Sequence, residues 1–303
     1  ERVLAALMHL YSGQNPEWVL IQGDTATTFS AAQFGCLCEC PVIHLEAGLR
    51  THDIHEPWPE EGFRQNIARF ATLHLAPYPS ARKNLLDEGI DDNDIRVVGN
   101  TGLDIQLKTM KELDQNTITS LPKENFFLVT LHRRENLGIR LRMICQNLKK
   151  LLEEFVNDIV VWPLHPNPLV KTTVMEFFGQ KPDRILFYDP FNYPTFLYAQ
   201  KNARLVISDS GGVQEEAASF GTYVAVVREK TERPDAVKLG LTKITGADGR
   251  HLSKNALDFF QREPDPEAVK IWNAMQGNGG AAEASVDAFV EHLFDYRAGE
   301  QRT

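Results

Sequence analysis

The sequence predicts an α/β protein built as two doubly wound, Rossmann-like domains facing a cleft. Three observations predict it. Short apolar runs of strand length alternate with amphipathic stretches of helix length, the pattern of a parallel sheet covered on both faces. The apolar runs end in polar or glycine-bearing turns. A polar, uneven stretch from Lys108 to Asn125, carrying Pro122, separates two such series. With 303 residues, 43% of them hydrophobic, the chain is long enough for two cores.

The elements follow in order. Glu1–Leu10 reads as an amphipathic helix, and Trp18–Ile21 as a strand ending at Gln22-Gly23-Asp24-Thr25. An open α/β domain would start with a strand, so an N-terminal strand–helix portion is expected to be missing. A helix through Thr28–Cys38 precedes the strand Pro41–Leu45, which ends at Glu46-Ala47-Gly48-Leu49-Arg50. The loop Pro57–Glu61 leads into a helix from about Gly62. Leu73–Ala76 is a strand, and Ser80–Glu88 a helix capped by Ser80 and stopped at Gly89. Ile95–Val98 closes the first domain, taken as residues 1–107, with 108–125 as linker.

The second domain, residues 126–280, starts with the strand Phe126–Thr130. It continues with a helix at Arg140–Phe155, a strand at Ile159–Pro163 ending in Leu164–Pro168, a strand at Ile185–Tyr188 and a helix at Tyr193–Gln200. Leu205–Ile207 is a buried strand. Ser208–Gly212 is a tight turn before a helix at about Val213–Phe220, with Gly221 as its stop, and Tyr223–Val227 is the next strand. Ala281–Tyr296 is a last amphipathic helix.

Composition excludes several classes. A net charge of −9 argues against a nucleic-acid surface. No apolar run reaches the length of a membrane span and no secretory signal opens the chain, so the expected partner is neither nucleic acid nor membrane and the simplest address is the cytoplasm. Cys36, Cys38 and Cys40 form C-x-C-x-C, and Cys145 stands alone. That spacing is not a zinc ribbon's, so reduced thiols and no metal are expected.

The residues that carry chemistry sit at strand ends. Ser210-Gly211-Gly212 opens a helix, and free N–H groups with the positive helix end bind anions there. Glu215 or Glu216 can accept a pair of sugar hydroxyls. Arg228 and Arg233 follow the next strand, and an arginine fork suits phosphate. His132, Arg133 and Arg134 read as a diphosphate clamp or as a surface basic patch. His165 holds the equivalent place after the next strand, or is a turn histidine. Phe196 packs on a flat ring or in the core. Asp24, Glu46 and Glu60 each read singly as helix-capping acids. Three acids at one sheet edge favour general acid–base work.

Four segments carry a family resemblance: GDTATT at Gly23–Thr28, HLEAGLRT with PWPEE between His44 and Glu61, LHRREN at Leu131–Asn136, and SDSGGVQEEA with TERPDA between Ser208 and Ala236. In order and spacing, as far as about Gly246, they resemble the non-hydrolysing UDP-N-acetylglucosamine 2-epimerases. The resemblance implies the glycosyltransferase-B arrangement, with the final helix, 281–303, crossing back to the first domain, and a homodimer. It implies interconversion of UDP-GlcNAc and UDP-ManNAc at carbon 2 by loss of UDP to 2-acetamidoglucal and its re-addition, for cell-surface polysaccharide synthesis, with no cofactor. Asp24, Glu46, Glu60 and His132 fall on its acid/base positions. Ser210, Gly211, Gly212, Glu216 and Arg233 fall on its UDP site, and Phe196 near its uracil. Arg133 and His165 fall near a second UDP-sugar site that activates bacterial members. Phe191 stands where some members carry a polar residue. The hydrolysing relatives, a UDP-sugar glycosyltransferase of the same fold and a non-catalytic nucleotide-sugar-binding protein are the alternatives.

Overall fold

The computed structural model describes the chain except residues 15, 115–117, 119–120, 181 and 301–303, and the side chains of Arg134 and residues 295–300. The chain divides into two units, residues 1–104 with 274–303 and residues 105–273.

The first unit begins with α1 (Arg2–Leu10), β1 (Val19–Gln22), α2 (Ala26–Leu37), β2 (Val42–Leu45) and α3 (Glu60–Phe70). It continues with β3 (Leu73–Ala76), α4 (Pro79–Asp87) and β4 (Ile95–Val97), and α5 (Thr101–Glu112) leads out of it. The four strands form a parallel sheet in the order β1-β2-β3-β4. Ile21 and Val42 pack with Ala32 of α2 and Ile67 of α3.

The second unit holds β5 (Phe126–Thr130), α6 (Ile139–Glu154), β6 (Ile159–Pro163), α7 (Pro168–Phe178), β7 (Ile185–Tyr188) and α8 (Tyr193–Asn202). Then come β8 (Leu205–Ser208), α9 (Gly211–Ser219), β9 (Val224–Val226), α10 (Pro234–Lys238), β10 (Thr242–Ile244), α11 (Leu252–Phe260) and α12 (Pro266–Met275). The closing helix α13 (Ala281–Glu300) belongs to the first unit, where Ala284, Ala288 and Phe289 pack on Ile43, Leu73 and Leu75.

The second sheet is parallel, in the order β10-β9-β8-β5-β6-β7. Successive β5 residues serve opposite faces: Phe127 and Val129 join one core, Phe126 and Leu128 the other. The strand order reverses where β5 lies beside β8. A crevice opens outside the carboxyl ends of strands at such a switch point. Register puts Thr130 opposite Ser208, so the loops after both strands leave the sheet at the same level.

The fold class and the nine expected strands agree with the sequence, strand β10 and the short helix α10 were not anticipated, and three local expectations need correction. Ser80 does not cap α4. The helix starts at Pro79, its cap residue is Tyr78, and no side chain makes the capping bond. Proline at the first helical position is preorganised for the helix and has no N–H to satisfy, which removes part of the need for a cap. Helix α5 continues to Glu112, so residues 108–112 of the expected linker are helical; residues 115–117 and 119–120 of it lie outside the described set. Helix α7 was not anticipated at all. Asn167 accepts from Leu169 N at 3.0 Å and Pro168 opens the helix, so a stretch that looked like a turn is a capped helix start.

His44 and His74 are cross-strand neighbours on β2 and β3 and are buried. Burial, the largest cause, lowers His44 to about 4 and His74 to about 3. A base with a lowered folded-state value is protonated first in the unfolded chain. Its contribution to stability is complete above the ordinary histidine range and is lost as pH falls through it toward 4. Each is expected to cost about 2 kcal/mol between pH 7.5 and pH 5. Denaturant unfolding at the two pH values checks this: the wild type loses stability toward pH 5, and His74→Leu removes about half of the loss.

Candidate active site

In the second unit the site grows from one buried carboxylate. Asp209, directly after β8, is fully buried. Its oxygens accept from the backbone N–H of His132 at 3.1 Å, the N–H of Arg133 at 3.0 Å and Asn136 Nδ2 at 2.9 Å. His132 Nδ1 lies 3.0 Å from Oδ1, and Arg133 Nε donates to the Asp209 carbonyl at 2.8 Å. Burial alone would raise the Asp209 carboxyl. The hydrogen bonds from His132, Arg133 and Asn136 outweigh it and hold the group below the usual carboxylate range. One side chain thereby clasps the loop after β5 to the turn after β8, across the switch point.

That turn is the start of α9. Ser210 is its cap residue in extended conformation, and its N–H donates to Ser208 Oγ at 3.0 Å. The first helical N–H groups, from Gly211 on, are those a helix start leaves available for an anion. Gly211 is needed for close approach: a Cβ there would lie 2.5 Å from Arg233 Nη1. Nothing would lie within 4 Å of a Cβ on Gly212.

The arginines are more deeply engaged than the sequence suggested. Arg233 is buried and pairs with Glu215 at 2.7 Å and with Glu232. Arg228 lies 2.7 Å from Glu232, and Arg133 lies 3.9 Å from the same residue and 3.5 Å from Glu135. Burial, followed by the neighbouring Arg133 and Arg233 against the pull of Glu232, leaves Arg228 with a lowered value. The structure therefore builds a buried network of guanidinium and carboxylate groups beside the turn. The side chain of Arg134 lies outside the described residues. Glu216 accepts from Tyr193 Oη at 2.9 Å and Gln200 Nε2 at 2.8 Å, and burial raises its carboxyl.

His132, His165 and Phe196 line one cavity of about 240 Å³ at the ends of β5 and β6, with Phe191 and Thr130. The two imidazole rings lie 6.3 Å apart, centre to centre, and His165 Nδ1 accepts from Asn167 N at 3.2 Å. A larger cavity, about 390 Å³, opens at the opposite edge of this sheet, against Arg204, Phe260 and Arg262. No candidate residue lines it, and Arg204 is committed to Asp158 at 2.6 Å and to the face of Phe260.

In the first unit, Asp24 and Glu46 follow the adjacent strands β1 and β2. Gln22 Nε2 donates to Glu46 Oε1 at 2.6 Å, and Glu46 has φ 62°, a conformation that costs a non-glycine residue energy. His44 Nε2 donates to the Gly23 carbonyl at 2.8 Å, fixing the turn that carries Asp24. Asp24 pairs with Arg64 at 2.5 Å. Arg64 also reaches Glu61 at 3.3 Å. Glu61, fully buried, accepts the N–H groups of Thr51 and His52 at 3.0 and 3.1 Å, so it shapes the loop that follows Glu46. Glu60, next to it, opens α3.

Sequence reasoning missed three residues that organise these sites: Asp209, Glu61 and Arg64. Asp209 and Glu61 stand inside quoted motifs, and Arg64 follows three residues after Glu61 on the same helix. Their tertiary hydrogen bonds and ion pairs set them apart. Among the described residues no group of three or more histidine, cysteine, aspartate or glutamate side chains could hold a metal, and no helix is long and apolar enough to cross a membrane.

Fold and site together define a Rossmann-type α/β protein with a glycine-bearing helix start at its switch point. The profile of the family described as UDP-N-acetylglucosamine 2-epimerase matches residues 1–289, and the chain belongs to that family. It is 34% identical over 297 residues to UDP-N-acetylglucosamine 2-epimerase of Escherichia coli K12, covering 95% of this chain and 79% of that one. It is 35% identical over 294 residues to the Bacillus subtilis protein of the same name, covering 97% and 76%. Among solved structures it resembles the Methanocaldococcus jannaschii UDP-GlcNAc 2-epimerase in complex with UDP-GlcNAc and UDP, at a TM-score of 0.85 and 31% identity, covering 96% of this chain and 80% of that one.

The two glycines of the turn should respond differently. Gly211→Ala must push aside an arginine held by two carboxylates, and is expected to weaken UDP binding by about tenfold or more, the cost of overpacking a tight site. Gly212→Ala meets open space and should weaken it less. Titration calorimetry with UDP measures both.

Proposed function

We propose that the chain interconverts UDP-GlcNAc and UDP-ManNAc by inverting carbon 2, without hydrolysis. The observation that supports this best is the meeting, in a chain of this family, of the His132 loop and the Ser210–Gly212 turn at one switch point, beside a cavity that suits a flat base. In this reading uracil lies near Phe196, the diphosphate rests on Ser210, Gly211 and Gly212 with Arg233 behind them, and Glu216 takes the ribose hydroxyls.

The chemistry asks for such a site. Carbon 2 is not next to a carbonyl, so its proton is not acidic. Breaking the bond from carbon 1 to the UDP oxygen gives the ring positive character, and the carbon-2 proton then leaves to form 2-acetamidoglucal. A proton returns to the other face and UDP adds back to carbon 1. The site must hold UDP through both steps and supply acid/base groups on two faces. Asp24, Glu46, Glu60 and His132 take those roles. Asp24 is held in place by its ion pair with Arg64. The same reading takes in a soluble cytoplasmic homodimer that feeds polysaccharide synthesis, with UDP-GlcNAc as an activator near Arg133 and His165 as well as a substrate.

Incubation with UDP-GlcNAc in D₂O, followed by proton NMR, tests the proposal. The expected result is deuterium at carbon 2 with UDP-ManNAc accumulating to equilibrium. Free N-acetylmannosamine with UDP would assign the chain to the hydrolysing reaction instead. Transfer of the sugar to an acceptor, with no exchange at carbon 2, would make it a transferase.

Removing one acid/base group should lower kcat by about 100-fold. Asp24→Asn and Glu46→Gln are expected to do so while UDP affinity, set by the other unit's residues, changes little. Steady-state kinetics with UDP calorimetry separates the two effects. Equal losses in both would place these acids in binding rather than proton transfer.

A further inference from the structure

We infer that Asp209 is a positioning residue, acting through His132: it fixes which imidazole nitrogen carries the proton and turns the other toward the cavity that His132 lines. This rests on the reading of His132 as an acid/base group.

The geometry leads there in three steps. First, Asp209 is ionised as well as fully buried, with its carboxyl held below the usual range. An ionised carboxylate only accepts, so the Nδ1 atom 3.0 Å from Oδ1 must carry a proton whether the ring is neutral or charged. Second, the bond is not needed to satisfy the carboxylate. The N–H groups of His132 and Arg133 and the amide of Asn136 already supply it with donors. The contact to the ring is additional, and it constrains a side chain that is otherwise 42% exposed. Third, with Nδ1 committed, Nε2 is the nitrogen left for substrate. It belongs to the ring that faces Thr130, His165 and Phe196 around the cavity. A histidine oriented by a carboxylate at one nitrogen and working at the other holds its tautomer through the reaction.

Asparagine cannot replace this carboxylate despite its equal size. Both oxygens face N–H donors, Oδ1 those of the His132 backbone and ring and Oδ2 those of His132, Arg133 and Asn136. Either orientation of an amide would set its NH₂ against a donor.

A double-mutant cycle on the full chain tests the inference, with single-turnover exchange at carbon 2 as the readout. Asp209→Asn is expected to slow exchange by about 100-fold in the wild-type background. In the His132→Ala background it should slow it clearly less, by about tenfold, because the loop support is still lost but the part that acts through the imidazole is gone. A merely structural aspartate would cost the same in both backgrounds, and that result overturns the inference. If Asp209→Asn does not fold, ¹⁵N NMR of the wild-type histidines reads the same point. A protonated Nδ1 in His132, hydrogen-bonded and slow to exchange, supports the assignment; a bare Nδ1 with the proton on Nε2 contradicts it. Because the NMR measurement needs no turnover, a chain that fails to epimerise at all would overturn the functional reading without masking the outcome for Asp209.

Discussion

A carboxylate removed from water must find donors inside the protein or give up its charge. Asp209 finds them on the neighbouring strand's loop, and the rest of the site depends on that. The reversal of strand order opens a crevice but leaves two unconnected loops at its mouth. The buried charge joins them: it takes its donors from His132, Arg133 and Asn136, and its own carbonyl receives the Arg133 guanidinium. The start of α9, at Gly211, is two residues away. The turn that opens α9 is thus held from behind by a fully buried group.

The first unit uses the same device. Glu61 is buried and draws in the N–H groups of Thr51 and His52, so the loop after β2 folds around a carboxylate. Arg64 then links Glu61 to Asp24. In both units the candidate acid/base residues, His132 and Asp24, are partly exposed. The residues that hold them are hidden. Glu46 adds a strained backbone at the end of β2, which its surroundings must over-determine for it to persist.

This division explains what was legible in the sequence. Apolar runs of strand length, glycine turns and their order gave the two parallel sheets, because a parallel strand is hydrophobic on both faces. His132 and His165 sit in those turns and Phe196 near the start of α8; all three could be named as candidates, and they share a cavity. The organising residues could not. Asp209 is one letter from Ser210, and Glu61 one letter from Glu60; no local pattern says which of two adjacent polar residues turns inward, since that is decided by loops far away in the chain. Ser80 misled because its neighbour Pro79 starts the helix. Asn167 went unread as a cap because two prolines around it signalled a turn. Tertiary contacts, rather than propensity, settled the engaged state of Arg233.

The central claim is that the switch point of the second unit is where nucleotide binds. Hydrogen–deuterium exchange of the chain with and without UDP tests it most directly. The account predicts slowed exchange in two separate segments, residues 130–136 and 208–214, which become protected together. Protection confined to residues 201–204 and 260–264, around the cavity at the opposite edge, would contradict it.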